Sequence, residues 1–407
     1  MNENKKFSIE EIISGELVST YYQPLISIKR KQVVGFEALS RGLRESDGSL
    51  IAPGMLIEEA EKYGLILELD RLFRKKALEN FKEFHEKNKQ SILSINLDSS
   101  AIRTGSGSKH FLKNVEKYRI DPSCIIIEIL ESEVNDINVL VEFVQQYRSQ
   151  GFMIAMDDFG AGFSNWDRII KLKPDIIKLD MSIIRDIDSD FLKQEVARSL
   201  IKLSHNTGSL VVAEGIETED EALKMLELNA DILQGFFTAI PIPIDKLNPE
   251  AVSRKIDDIS VSFREARNLR LKLQEKDLKE FSSLTDRIIE NLQSGETYLP
   301  EQVLMDTAAG VEGIECIYIL DEYGIQISET VVSISIRNYQ KSRIFHPDDI
   351  YSDQSNKDYY FNLVNGYDRF ISEPYISSAT GNLCITISRK YLSREGKKQI
   401  LCVDIKR

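Results

Sequence analysis

Phe152-Met153-Ile154-Ala155-Met156-Asp157-Asp158 is an apolar run of strand length ending in two adjacent carboxylates, and this arrangement recurs on both sides of it. Runs at 91–97, 124–129, 176–179, 210–214 and 232–233 also read as strands. Each has a polar residue at or just past its C-terminal end: Asn96, Glu128, Lys178, Glu214 and Gln234. Segments of helical period at 53–80, 134–150, 188–206 and 218–230 lie between or beside them, the alternation of a parallel α/β fold. Two further apolar stretches, 17–28 and 32–39, flank the turn Lys29-Arg30-Lys31 and predict an antiparallel hairpin. A carboxylate after one strand is ordinarily a cap for the next helix. Six strands repeating the placement predict a (β/α)8 TIM-type barrel, whose strand C-termini all meet at one mouth. Periodicity alone leaves an open doubly wound sheet standing, because it too gathers ligands at its strand C-termini.

The chain has 407 residues, 42% of them apolar and 29% charged, which is enough for a sizeable core and long enough for two domains. Its 52 Lys+Arg against 65 Asp+Glu give 52 − 65 = −13. That balance argues against a nucleic-acid polymer as partner, and it admits a small anionic ligand if metal ions supply positive charge. Residues 1–11 are polar, without the apolar centre of a secretory signal, and no later run approaches the roughly 18 apolar residues of a spanning helix. A cytoplasmic protein that does not enter the membrane is expected. Cys124, Cys316, Cys384 and Cys402 are scattered without metal-binding spacing and read as reduced, mostly buried residues.

After the break Ile240-Pro241-Ile242-Pro243, residues 250–293 are charged, with apolar residues at helical spacing. They predict a long helix or helical pair, a stalk packed on one of the domains. From about residue 295, short runs at 313–320, 325–332, 359–364, 371–375 and 383–388 are punctuated by Asp, Gly, Asn or Pro. They predict a small α+β domain with an antiparallel sheet. The expected plan is a barrel at 1–247, a helical connector at 248–294 and a second domain at 295–407.

Glu37, Asn96, Glu128, Asp157 and Asp158 are hard oxygen ligands suited to Mg2+ or Mn2+. Adjacent carboxylates such as Asp157 and Asp158 repel unless cations sit between them, and one bridging carboxylate can hold two metals about 3.5–4 Å apart. Such a two-metal site suits in-line displacement at phosphorus: one ion lowers the pKa of a water and the other stabilises the leaving oxygen. Lys178 would add positive charge near that water or the phosphoryl oxygens. No histidine stands at a strand end to act as general base; His85, His110, His205 and His346 fall in helix or loop sequence.

These residues carry a resemblance. Gln23-Pro24, Glu37-Ala38-Leu39-Ser40-Arg41, Ile95-Asn96-Leu97, Glu128-Ile129-Leu130-Glu131, Asp157-Asp158-Phe159-Gly160-Ala161-Gly162, Lys178-Leu179-Asp180, Ala213-Glu214-Gly215-Ile216-Glu217-Thr218 and Gln234-Gly235-Phe236 follow in the order found in EAL-family cyclic di-GMP phosphodiesterases. The first half of the chain, roughly 8–245, resembles that family. The resemblance implies a barrel with an antiparallel first strand that hydrolyses one phosphodiester of cyclic di-GMP to linear 5'-pGpG. It implies that Glu37, Asn96, Glu128 and Asp157 hold one metal and that Asp157 and Asp158 serve the second. Lys178 would orient or activate the water, with Glu214 beside it, and Gln234 would position water and ligand. Gln23, Arg41 and Asp180 would bind substrate, and Glu131 would tie down the loop after Asp158. Trp166 stands where such sequences often carry Leu, and Thr238-Ala239-Ile240-Pro241 replaces the more usual Ser-x-Pro; neither is a proposed ligand.

The C-terminal part resembles the PAS-like or Cache-like sensory domains attached to EAL domains, which implies a regulatory module with a small-molecule ligand of unknown kind. A homodimer is implied as well. Three rival readings remain: a catalytically silent cyclic di-GMP receptor, a glycoside hydrolase with paired carboxylates, and an interaction scaffold that binds no nucleotide.

Overall fold

A computed structural model describes residues 7–97, 107–130, 136–161, 166–294, 300–333 and 344–406. The chain divides into two compact units, Met1–Asn268 and Leu269–Arg407.

In the first unit, β1 (Val18–Ser27) and β2 (Gln32–Leu43) form the expected antiparallel hairpin, and the short β3 (Leu50–Ile51) borders β2. Next come β4 (Ile92–Leu97), β5 (Ile125–Leu130), β6 (Met153–Phe159), β7 (Ile176–Leu179), β8 (Leu210–Ala213) and β9 (Ile232–Leu233). Each runs parallel to the one before, starting beside β2. Strand β9 returns antiparallel to β1 through Ile26 and Leu233, so eight strands, β1, β2 and β4 to β9, close on themselves among the described residues. The open-sheet alternative is thereby excluded.

Side chains alternate across each strand. Ile125, Ile127, Ile129, Ile177 and Val211 face outward into a core shared with the helices. The inward face starts with an apolar plug of Leu25, Ile126, Ala155, Ile176, Val212 and Ile232. One inward position nearer the mouth stand Gln23, Glu128, Asp157, Lys178, Glu214 and Gln234. The plug closes the barrel beneath the polar layer, as in TIM barrels generally.

The helices begin where sequence offers caps: Asp136 before Ile137–Ser149, Asp190 before Phe191–Asn206, and Thr218 with Glu221 as a capping box for Glu219–Glu227. The single helix expected at 53–80 is two, Pro53–Tyr63 and Ile66–Lys87. Gly64 ends the first in the left-handed region at φ 71°, which glycine alone adopts without cost.

The second unit is a small antiparallel sheet of β10 (Ile314–Asp321), β11 (Val331–Val332), β12 (Arg369–Ile371), β13 (Tyr375–Ile376), β14 (Leu383–Leu392) and β15 (Lys398–Lys406), with helices Pro300–Gly310 and Asp358–Val364. Residues 359–364, expected as a strand, are helical because Tyr359 and Leu363 bury the same face at i,i+4 spacing. The run expected at 325–332 is strand only at Val331–Val332, and that expected at 371–375 splits between β12 and β13. Strand β15, the partner of both β10 and β14, was not among the expected runs.

Residues 249–294 form one helix, Pro249–Ser294. Its Val252, Ile256 and Ile259 belong to the core of the first unit, and its Leu284, Ile288 and Ile289 to that of the second. Among the described residues no helix is long and apolar enough to cross a membrane.

Candidate active site

Lys178 is the centre of the polar layer. Its ammonium, on a side chain 2% exposed, lies 2.7 Å from Glu128 Oε1, 2.5 Å from Glu214 Oε1, 3.2 Å from Asp157 Oδ1 and 3.4 Å from Glu37 Oε2. Five strands thus deliver one cation and four carboxylates to a single point. Asn96 Nδ2 donates to Glu37 Oε1 at 3.0 Å, and Gln234 Nε2 donates to Glu37 Oε2 at 2.5 Å and to Gln23 Oε1 at 3.1 Å.

Asp157 and Asp158 are neighbours on one strand and would ordinarily point to opposite faces. The β6–β7 register shifts between Met156 and Phe159, where one extra residue enters β6, and Asp158 takes a left-handed φ of 52°. This bulge re-aims the chain, so that oxygens of Asp157, Asp158 and Glu214 all lie within 4.8 Å of one another. Gly160 continues the turn at φ 98°.

Burial and crowding set the charge states. Burial opposes the charge of Lys178, yet Glu128, Glu214, Glu37 and Asp157 outweigh it and hold the ammonium well above its usual pKa. Burial also opposes ionisation of Glu37, but Lys178 and the hydrogen bonds from Gln234 and Asn96 keep it below the usual carboxylate range. Glu128 is pushed well up, by burial first and then by the charge of Glu37. Burial raises Glu214 to about 8 despite Lys178, and burial followed by repulsion from Asp157 raises Asp158.

This donor set fits hard divalent ions. All the candidate ligands offer oxygen, Glu128 Oε2 is buried without a hydrogen-bond partner, and the carboxylates that resist ionisation are those a cation would neutralise. Asp157, Asp158 and Glu214 could hold such an ion together, and Glu37, Asn96 and Glu128 are further oxygen donors of the same layer.

Outside this centre the predicted residues are disposed differently. Both ends of the buried Gln23 amide are engaged, accepting from Gln234 and donating to Ala239 O at 3.1 Å. Arg41 donates to Ser40 O at 2.8 Å and lies 5.9 Å from the Tyr21 ring centre. Asp180 caps the short helix Met181–Ile184 by accepting from Ser182 N at 2.9 Å, while its charge still reaches Asp158. Glu131 and Gly162 lie outside the described residues.

Sequence reasoning missed two groups. A cavity of about 280 Å3 opens beside Arg41 and Asn96, lined also by Asp70, Phe73 and Arg74 of the helix Ile66–Lys87. Asp70 and Arg74 form a buried i,i+4 ion pair on a largely apolar helix face, a break in pattern that could have marked them. Ser94, buried two positions before Asn96 on the same strand face, donates its hydroxyl to Glu128 Oε1 at 2.6 Å.

A closed barrel that gathers its carboxylates and one ammonium at the strand C-termini is a TIM-type barrel with its polar centre where that fold carries its active sites. Residues 8–241, more than half the chain, match the EAL domain family, and the chain belongs to it. It is 29% identical over 241 residues to the signaling protein YkoW of Bacillus subtilis, covering 59% of this chain and 30% of that one. It is 30% identical over 245 residues to the cyclic di-GMP phosphodiesterase PdeA of Borreliella burgdorferi, covering 60% and 36%. The chain thus spans only about a third of the length of these relatives. Among solved structures, the Bacillus subtilis YkuI protein, with an EAL domain and in complex with cyclic di-GMP and calcium, superposes with TM-score 0.80 at 22% identity. That match covers 99% of this chain and 100% of that one, so the similarity in fold extends through the second unit. The EAL enzyme Bd1971, in its cAMP and cyclic di-GMP bound form, gives TM-score 0.54 at 26% identity over 62% of this chain and 67% of that one.

Proposed function

We propose that the barrel is a divalent-metal-dependent phosphodiesterase that hydrolyses one phosphodiester of cyclic di-GMP to linear 5'-pGpG. The observation that carries this reading is the convergence of Glu37, Glu128, Asp157 and Glu214 on Lys178, with Asp158 turned into the same site. Glu37, Asn96, Glu128, Asp157, Asp158 and Glu214 would hold Mg2+ or Mn2+, which would supply Lewis acidity for activating a water and stabilising the leaving oxygen. The protein's own part is positioning and electrostatics. Asn96 and Gln234 fix the two oxygens of Glu37. Gln23 fixes Gln234. Lys178 keeps its proton and presents a fixed positive charge to the phosphoryl group or to the attacking water. Arg41, at the rim of the cavity beside Asn96, supplies a second cation for the anionic substrate. The apolar plug beneath keeps bulk water out of the reacting layer.

The division of labour proposed for the chain is catalysis in 1–247, a helical connector in 248–294 and regulation by a small-molecule signal in 295–407, in a cytoplasmic homodimer. The test is incubation of the purified full chain with cyclic di-GMP in Mg2+, Mn2+ or EDTA. Metal-dependent 5'-pGpG supports the reading. Nucleotide that is bound but persists intact under every condition would make the protein a receptor, and absence of binding would contradict both.

A further inference from the structure

Ser94 lies on β4 and is 1% exposed. Its register neighbours are Glu37 on β2 and Ile126 on β5, so it faces the barrel interior where the apolar plug meets the polar layer. Its hydroxyl donates to Glu128 Oε1 at 2.6 Å, and the Lys178 ammonium lies 2.7 Å from the same oxygen. The Ser94 hydrogen bond and the Lys178 ion pair thus both engage that oxygen. The other oxygen, Oε2, is buried with no hydrogen-bond partner, on a side chain 1% exposed. An orphaned carboxylate oxygen in such a place costs free energy unless something cationic meets it.

We infer that Ser94 is a positioning residue for the cation site: by holding Glu128 Oε1, it makes Glu128 offer Oε2 alone. The inference rests on the reading above that Glu128 is a metal ligand. A one-oxygen carboxylate suits a small ion that demands near-octahedral geometry, such as Mg2+ or Mn2+, whereas Ca2+ readily takes both oxygens of one carboxylate. Without the Ser94 hydroxyl only Lys178 holds Oε1, and the carboxylate is free to turn both oxygens toward an ion. Ser94 is therefore a determinant of which ion the site prefers, as well as of how tightly it binds. A hydroxyl that merely satisfied a buried position would affect stability and leave ion preference untouched.

The test uses the full chain freed of metal with EDTA. Mn2+ affinity is read by electron paramagnetic resonance of the free ion, Ca2+ affinity by competition, and Tm is recorded for each protein. Ser94→Ala is expected to weaken Mn2+ binding about 10- to 100-fold. Ca2+ binding should weaken less, so that the Mn2+/Ca2+ preference falls, and Ser94→Thr, which retains a hydroxyl, should keep the preference. An unchanged Mn2+/Ca2+ preference in Ser94→Ala, whether or not the affinities or the Tm fall, would overturn the inference. Failure of the wild-type chain to bind Mn2+ at all would instead overturn the metal-site reading on which it depends.

Discussion

Lys178 Nζ stands 2.7 Å from Glu128 Oε1 in a layer where both side chains are essentially withdrawn from water. The ammonium is the shared counter-charge of four carboxylates. Lys178→Met removes it and leaves buried acids facing one another. Breaking a buried ion pair from one side costs about 3–5 kcal/mol, so the urea midpoint of the EDTA-treated variant should fall by that equivalent. Mn2+ should recover part of the loss, since a ligand of the folded state stabilises it. An unchanged midpoint in EDTA would show that Lys178 does not neutralise this cluster.

Asp158 carries a conformational and an electrostatic burden at once: a left-handed φ of 52° and a pKa raised by burial and by Asp157. Asp158→Asn relieves the repulsion and tolerates the same backbone. Its Tm without metal should equal or exceed that of the wild type, and the Tm increase produced by Mn2+ should shrink. A lower Tm without metal would contradict this.

The barrel was legible because its strands are buried on both faces and each ends in a polar residue one inward position past the plug, as Ala155 and Asp157 illustrate. Alternation could not reveal that Asp157 and Asp158 share a site, because that depends on a bulge set by pairing with β7. Ser94 escaped notice because a buried hydroxyl has meaning only through Glu128, which lies on another strand. In the second unit, Tyr359-Tyr360-Phe361 has strand-like composition, and tertiary burial of Tyr359 and Leu363 decided for helix.

Gly235 tests how the mouth is held on the far side. A Cβ there would meet Ile216 O at 2.1 Å and Ile216 N at 2.3 Å; Ile216 O accepts from Phe237 N, and Ile216 N donates to Gln234 O. Gly235→Ala should cost about 3 kcal/mol, the upper end of ordinary overpacking. It should also weaken nucleotide binding, because Gln234 must shift with the backbone. A Tm within a degree or so of the wild type would show that this contact yields cheaply.

Glu16 gives the pH dependence a defined sign. Hydrogen bonds from Lys75 and Lys76 lower its pKa from 4.5 to about 2. A carboxyl whose folded pKa is depressed contributes stability above its unfolded value, and that contribution is lost as the pH falls from 4.5 toward 2. The side chain is 43% exposed, so screening limits the effect, and Glu16→Gln should cost no more than about 1 kcal/mol at neutral pH. The difference between variant and wild type, read from urea midpoints, should narrow at about pH 3. A gap that widens on acidification would contradict the assignment.

Cleavage of a cyclic dinucleotide by the carboxylate ring around Lys178 is open to direct measurement. The most direct measurement is ion-pair chromatography of the products formed from cyclic di-GMP by the wild-type chain, Glu37→Ala and Asp157→Ala, each with Mn2+ and with EDTA. The wild type should give 5'-pGpG with Mn2+ only, and either variant should lose at least about a hundredfold in rate, roughly 2.7 kcal/mol of transition-state stabilisation. Product that persists in EDTA, or that either substitution leaves unaffected, would contradict it.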